Sequence, residues 1–212
     1  EIDRTLIPIL NVTLEKQSNV RVICGDVMRT DLALLVKECF GEDCSSLRIA
    51  ANLPYYITTD VLTKLMNELP QAQSIAVMIQ KEVGDKLLSS PGEDGYGPLA
   101  VMCQYHYNVV RALDVPAACF NPPPKVDSSF MVLERLETPY VDGGDEAVFT
   151  RLVRSAFAMR RKTLLNNLIS GFALNREQAA LYLEAVGLSV QARAEELSLE
   201  DFAKLSRQLQ SL

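Results

Sequence analysis

A chain of 212 residues, 48% of them hydrophobic, can hold one mid-sized domain with a real core and a smaller one beside it. No run of about eighteen apolar residues occurs, so no membrane-crossing helix is expected; five cysteines at irregular spacing, no CxxC pair and one histidine, His106, indicate reduced thiols in a cytoplasmic protein and neither a disulfide framework nor a metal site. A net charge of −6 argues against nucleic acid as a partner for the chain as a whole.

The chain opens on Glu1-Ile2-Asp3, and TLIPILNV then reads as a helix interrupted or begun near Pro8. NVRVICGD, Asn19 to Asp26, reads as a buried strand ending at Gly25 and Asp26. DLALLVKECF is a short amphipathic helix, and SLRIAANLPYY is another strand running into a loop. TTDVLTKLMNEL places hydroxyls at the expected cap and apolar residues three and four apart, which predicts a helix. QSIAVMIQKEV is a strand leading into the helix KEVGDKLLS. This alternation predicts an α/β fold with a largely parallel sheet covered on both faces. GEDGYGP is a flexible loop, and LAVMCQYHYNVVRAL turns from helix to strand near Tyr107. FNPPPKVDSSFMVLERL carries three prolines and then an alternating strand, Ser128 to Leu136, expected to finish a hairpin at the sheet edge.

After TPYVDGGDE no strand-like run follows. Helices are expected at 146–158, 161–170, 176–186 and 200–210, with Gly171 and Gly187 as terminators. The predicted organisation is therefore a first domain over 1–139 and a small helical domain over 140–212. Within the latter, Ala147 to Arg176 holds Arg151, Arg154, Arg160, Arg161, Lys162 and Arg176 and no acidic residue. Such a local patch can bind phosphate in an acidic chain; a solvated helix face neutralised by neighbours elsewhere is the alternative.

In open α/β sheets ligands sit at the carboxyl ends of strands. Glu1, Asp26 and Asn52 to Tyr55 fall at such positions. An acidic residue there can accept from ribose hydroxyls or from an adenine amino group, although Asp26 can equally cap the following turn. In Asn52-Leu53-Pro54-Tyr55, the Asn52 side-chain oxygen and the Leu53 carbonyl could accept both hydrogens of an exocyclic amine and orient its lone pair. Pro54 would fix the backbone, and Tyr55 could stack on a base taken out of its helix. With a cationic sulfonium as methyl donor, catalysis is positioning and electrostatics, with no metal or acid–base pair. Plain Asn-Pro turn chemistry with Tyr55 in the core is the competing reading. Phe120, beside three prolines, is either a stacking face on a stiff loop or a core anchor. Lys125 could meet phosphate or pair with Asp127, Gln80-Lys81-Glu82 could simply cap a helix, and His106 reads as a packing residue.

EID (1–3), GD (25–26), NLPYYIT (52–58), QKEV (80–83), YG (96–97), FNPPPKVDS (120–128) and AFAMRRKTLLNNL (156–168) together resemble the bacterial small-subunit rRNA adenine dimethyltransferase family, over nearly the whole chain. The resemblance implies a Rossmann-like S-adenosyl-methionine-dependent methyltransferase fold with a small all-helical C-terminal domain. The implied reaction converts two adjacent adenosines near the 3′ end of 16S rRNA, in an immature small ribosomal subunit, to N6,N6-dimethyladenosine. Glu1 with Ile2 would hold the cofactor ribose, Asp26 with Val27 its adenine, and Asn52 both the cofactor and the target amine. Tyr55 and Phe120 would be the aromatic faces for the target base, and Arg160, Arg161 and Lys162, with Lys125, the RNA contacts. One departure is that the family's glycine-rich loop precedes the EID segment, and no GxGxG occurs here. An N-terminal truncation, or residues outside this sequence, is therefore expected; were that loop truly absent, cofactor affinity would be poor and turnover weak. Rival functions are a 23S rRNA adenine methyltransferase, a non-catalytic ribosome assembly factor and, more remotely, a DNA adenine methyltransferase. A monomer is the default.

Overall fold

The computed structural model describes residues 1–42 and 44–210. Contacts divide the chain into two compact units, Glu1–Arg48 with Leu53–Gln73, and Ile49–Asn52 with Ser74–Leu212. Neither boundary falls at 139/140, where the sequence changes character.

The first unit contains α1 (Leu6–Thr13), α2 (Leu32–Phe40) and α3 (Thr58–Glu68). Pro8 sits in the first turn of α1, where its missing N–H is one the helix leaves unpaired in any case, so the helix runs through it. Asp31 caps α2, its carboxylate accepting from Leu34 N at 2.9 Å. The start of α2 is tied to the end of α3: Leu32 N donates to Glu68 Oε2 at 3.0 Å, and Lys64 Nζ bonds the other carboxylate oxygen. The Lys64 bond first and the Leu32 N–H second hold the Glu68 carboxyl below the usual range. The expected hydroxyl cap of α3 is not formed. Its N-cap is Ile57, and Thr58, already in the first turn, donates Oγ1 back to Pro54 O at 3.2 Å.

The buried strand expected over Asn19–Asp26 is also corrected. The segment forms no ladder among the described residues, Val20 is 45% exposed, and its pairing is with one residue. The Glu1 amino group donates to Ile23 O at 2.9 Å, and Gly25 N donates to Glu1 O at 2.9 Å. That is the bond pattern of a parallel pair, limited to Glu1 beside Cys24.

The second unit is built on β1 (Arg48–Asn52), β2 (Ser74–Gln80), β3 (Tyr107–Val115) and β4 (Ser128–Arg135), in the order β1-β2-β4-β3. The sheet is less parallel than expected. The last strand inserts between β2 and β3 and runs antiparallel to both, so β3 and not β4 lies at the edge. Hydrophobic alternation reports which face is buried, not strand direction. What fixes the register is the match of buried residues: Ile75 and Val77 lie opposite Leu133 and Met131, all four fully buried.

Helix α4 (Lys81–Leu88) continues from β2 and lies close on β4: a Cβ at Gly84 would stand 3.1 Å from Met131 Sδ and 3.2 Å from Ser129 Cβ. Helix α5 (Pro98–His106) starts on a proline that needs no N–H partner and passes into β3 at Tyr107, where the sequence placed the switch. Then come α6 (Glu146–Ala156), α7 (Leu164–Phe172), α8 (Arg176–Ala185) and α9 (Leu199–Leu209). The N-termini of α6, α8 and α9 are held by Asp145, by the Asn175/Gln178 box and by the Ser198/Asp201 box respectively. Phe149, Leu152, Leu164, Leu168, Leu183, Phe202 and Leu205 form a hydrophobic core with α5, in which Phe149 stacks on Tyr105 at 3.8 Å between centroids.

Gly171 does not terminate α7. It lies inside the helix, which ends at Ala173 in the left-handed region (φ 54°), whereas Gly187 (φ 77°) follows α8 as expected. Gly171 is instead where α7 meets α6: an added Cβ would fall 2.3 Å from Ser155 Cβ, and the Gly171 carbonyl accepts from Arg151 Nε and Nη2 at 3.1 and 2.9 Å. Among the described residues no helix is long and apolar enough to cross a membrane.

Candidate methyltransferase and RNA-binding site

In the first unit, Glu1 and Asp26 each organise the turn that follows. Glu1 Oε1 accepts Asp3 N at 2.8 Å; Asp26 Oδ1 accepts Met28 N at 2.9 Å. Asp26 is therefore a turn-former, as its alternative reading held. Among the described residues its second oxygen meets only the Nε of the exposed Arg29, at 3.6 Å, beyond a good hydrogen bond. Among the described residues Glu1 Oε2 makes no hydrogen bond. Each carboxylate thus keeps an acceptor oxygen, the atom type that ribose hydroxyls or an adenine amine require. Ile2 is 66% exposed and Val27 half-buried beside them.

Asn52 is the exposed last residue of β1 and is counted with the second unit; Leu53, the next residue, is buried and counted with the first. Pro54 (φ −59°, ψ 133°) turns the chain from strand into a 3₁₀ turn over Tyr55–Ile57. Its carbonyl accepts both Ile57 N and Thr58 Oγ1 at 3.2 Å, which anchors the tetrapeptide to the start of α3. Tyr55 is half-buried and outside the core, while Tyr56 is 85% exposed.

In the second unit, Phe120 is half-buried and likewise outside the core, so it does not anchor its loop as a core residue. Asp127 does: its carbonyl accepts Lys81 N at 3.0 Å and its Oδ1 accepts Ala117 N at 2.9 Å. The Asp127 carboxylate is engaged there and not with Lys125, which is exposed and makes no ion pair among the described residues. Lys125 shares with Gln80, Lys81, Glu82 and Asp85 a cleft of about 400 Å³. Lys81 is itself consumed by Asp114, at 2.8 Å, and Ser129 Oγ donates to the same carboxylate at 2.6 Å. The Lys81 bond, then that from Ser129, hold the Asp114 carboxyl below the usual range.

Arg161 and Lys162 do not lie on a helix, although the expected element at 161–170 includes them, and neither does Arg160. They occupy the exposed turn between α6 and α7, because the buried Asn167 holds that turn out of helical shape. Its Nδ2 donates to Ala156 O at 2.6 Å, and its Oδ1 accepts Met159 N at 3.2 Å. Arg151 is diverted to the Gly171 carbonyl and the Phe172 ring. His106 is buried against Tyr105 and Tyr107; burial first, then the Arg135 charge, push its pKa down, with Glu146 opposing. The buried Cys103 thiol is pushed up to about 12 by burial, so it is no nucleophile.

The family model described as ribosomal RNA adenine dimethylase matches residues 1–211. The chain belongs to the ribosomal RNA adenine dimethylase family. It is 43% identical over 212 residues to the ribosomal RNA small subunit methyltransferases A of Bacillus mycoides (strain KBAB4) and Bacillus cereus (strain B4264), covering 99% of this chain and 72% of each relative. The fold is similar to that of a dimethyladenosine transferase from Plasmodium falciparum, with a TM-score of 0.76 and 22% identity over 100% of this chain and 80% of that one. It is also similar to that of the 23S rRNA methyltransferase ErmE, with a TM-score of 0.65 and 21% identity over 99% and 80% of the two chains. A Rossmann-like methyltransferase fold with a helical C-terminal part is thereby established, and so is the enzyme class: an rRNA adenine dimethyltransferase whose methyl donor is S-adenosyl-L-methionine. Three parts of this dimethylase escaped the sequence reading: Asn167, the Lys81–Asp114–Ser129 cluster, and Arg193, whose Nη2 donates to Arg160 O at 2.6 Å. Asn167 had a signal, a polar residue among the leucines of LLNNL.

Proposed function

We propose that this chain dimethylates N6 of two adjacent adenosines near the 3′ end of 16S rRNA in an immature small subunit, as a cytoplasmic monomer. The observation that carries this reading is Asn52-Leu53-Pro54-Tyr55 at the carboxyl end of β1, anchored through the Pro54 carbonyl to α3. Glu1 and Asp26, with Ile2 and Val27 beside them, are the residues that would hold S-adenosyl-methionine, through the carboxylate oxygens that their own turns leave over. When bound, the cofactor supplies a methyl group on a cationic sulfonium. Asn52 Oδ1 and the Leu53 carbonyl accept the hydrogens of the target amine and turn its lone pair out of conjugation with the ring. Pro54 keeps that carbonyl in place, and Tyr55 and Phe120 stack on the extruded base. As the nitrogen acquires positive charge in the transition state, both acceptors bind it more tightly than they bind the neutral amine, which lowers the barrier. The amine then loses a proton to solvent. Residues 140–212 serve as the RNA-binding region, with Arg160, Arg161 and Lys162 on its exposed turn supplying phosphate contacts together with Lys125.

The test is Asn52→Ala assayed for methyl transfer to small-subunit particles and for particle binding. Transfer should fall by about a hundredfold or more, as for loss of one oriented acceptor, with binding unchanged. Transfer within about twofold of the native rate would remove Asn52 from the role given to it.

A further inference from the structure

The turn carrying Arg160, Arg161 and Lys162 is one wall of a cleft of about 380 Å³; the others are Gly92 to Tyr96 and Arg193 to Glu195. Three hydrogen bonds between the segments fix these walls. Gly92 N donates to Glu195 O at 2.7 Å, Arg193 Nη2 to Arg160 O at 2.6 Å, and Tyr96 Oη to Leu197 O at 2.9 Å. Its volume is at the small end of the roughly 300–1,000 Å³ of small-ligand sites, the size of a mononucleotide.

The charges in this cleft are divided. Arg193 is neutralised by Glu195 at 2.8 Å, but Arg160, Arg161 and Lys162 make no ion pair among the described residues. On the wall formed by Gly92 to Tyr96, Glu93 accepts Ser90 N at 2.7 Å with one oxygen, and the Asp94 carboxylate makes no hydrogen bond or ion pair among the described residues. A seat for phosphate alone would not keep two carboxylates facing it, because they repel the same anion. A ligand with an anionic end and a donor-rich end satisfies both walls.

We propose that this cleft seats one unpaired guanosine nucleotide of the RNA, its phosphate on Arg160, Arg161 and Lys162 and its base edge on Asp94 and Glu93. The proposal rests on the reading of this chain as an rRNA-binding enzyme. Guanine is the base selected because a carboxylate is acceptor-only and spans two adjacent donors. The N1–H and N2–H of guanine are two such donors on one edge. Adenine and cytosine set a ring acceptor beside their amine, and uracil flanks its single N–H with two carbonyls. Single-stranded bases are read on this edge in RNA recognition generally.

The test is fluorescence anisotropy of the full chain with short oligouridylate, and with the same oligomer carrying one central guanosine, adenosine or inosine. Guanosine should tighten binding by at least about fivefold over the all-uridine probe. Inosine, which lacks the N2 amine, should lose most of that gain. The pair Glu93→Gln and Asp94→Asn should abolish the preference while leaving oligouridylate binding equal or tighter; Arg160→Gln with Arg161→Gln should weaken every probe. Equal affinity for all probes, a preference that survives in the carboxylate pair, or failure of every probe to bind would each overturn the guanosine seat. Binding of small-subunit rRNA by the same preparation separates the two readings: if it persists, only the seat is lost, and if it is absent the rRNA assignment of this surface falls too.

Discussion

Replacing Asn167 by alanine removes a side chain that is 2% exposed and that bonds the backbone of the α6–α7 turn twice at good distance, to Ala156 O at 2.6 Å and from Met159 N at 3.2 Å. A third approach, Nδ2 to Met159 O at 3.5 Å, is too long to count. Each lost bond is worth about 0.5–1.5 kcal/mol net, and a buried carbonyl left without a partner costs about 1–3 kcal/mol. Ala156 is buried and Met159 half-buried, so only the first bears the full penalty, and the expected loss is about 2–4 kcal/mol. Asn166→Ala is the control: its Nδ2 donates to Thr163 Oγ1, at 2.9 Å and partly exposed, and the change should cost under about 1 kcal/mol. Urea denaturation of the two variants measures the difference directly, provided the m-value is unchanged. A loss of less than about 1 kcal/mol for Asn167→Ala, or one equal to that of Asn166→Ala, would refute the claim that Asn167 shapes this turn.

Gly171→Ala should destabilise despite alanine's helix propensity, worth about 1 kcal/mol, because its Cβ would fall 2.3 Å from Ser155 Cβ; thermal melting should show a net loss of about 1–2 kcal/mol, recovered in part by adding Ser155→Gly, and a stabilised single variant would show that the α6–α7 contact yields. For His106 the folded pKa lies below the usual value, so the unfolded chain binds the proton more readily. Its contribution is complete above about pH 6.5 and is lost as pH falls toward the folded pKa. The midpoint of melting should therefore drop more steeply between about pH 7 and 5 in the native chain than in His106→Leu; parallel profiles would mean that His106 is protonated at little cost. Replacing Arg160, Arg161 and Lys162 by glutamine should weaken RNA binding and flatten the slope of log K against log salt by about 2–3. An unchanged slope would take that turn out of the interface.

Most helices were legible because periodicity and caps are local: the α5–β3 switch at Tyr107 was read from the sequence, as were the positions of α2 and α4. Pairing was not. The alternation in SSFMVLERL identifies a strand with one buried face, but its place between β2 and β3 depends on residues distant in sequence. The hydrophobic run NVRVIC has the composition of a buried strand, yet among the described residues it joins no ladder, and its strand-like pairing is with Glu1 alone. Gly171 reads as a stop in sequence because glycine ends helices; what it supplies here is closeness to Ser155. At the site, Asn52 to Tyr55 lie at the predicted strand end. The basic triple was visible as composition but not as a turn, since the cause is the side chain of Asn167, several residues later.

The insertion of β4 between β2 and β3 has a consequence during synthesis. The β2 edge that will receive β4 has no bonding partner until Ser128–Arg135 have left the ribosome, although β2 itself has emerged long before. Throughout that interval a nascent chain displays an unpaired, β-branched strand, the kind of surface that recruits holdase chaperones or other nascent chains. A pause in translation after β2 has emerged and before β4 has done so therefore lengthens the time that this edge stays unpaired.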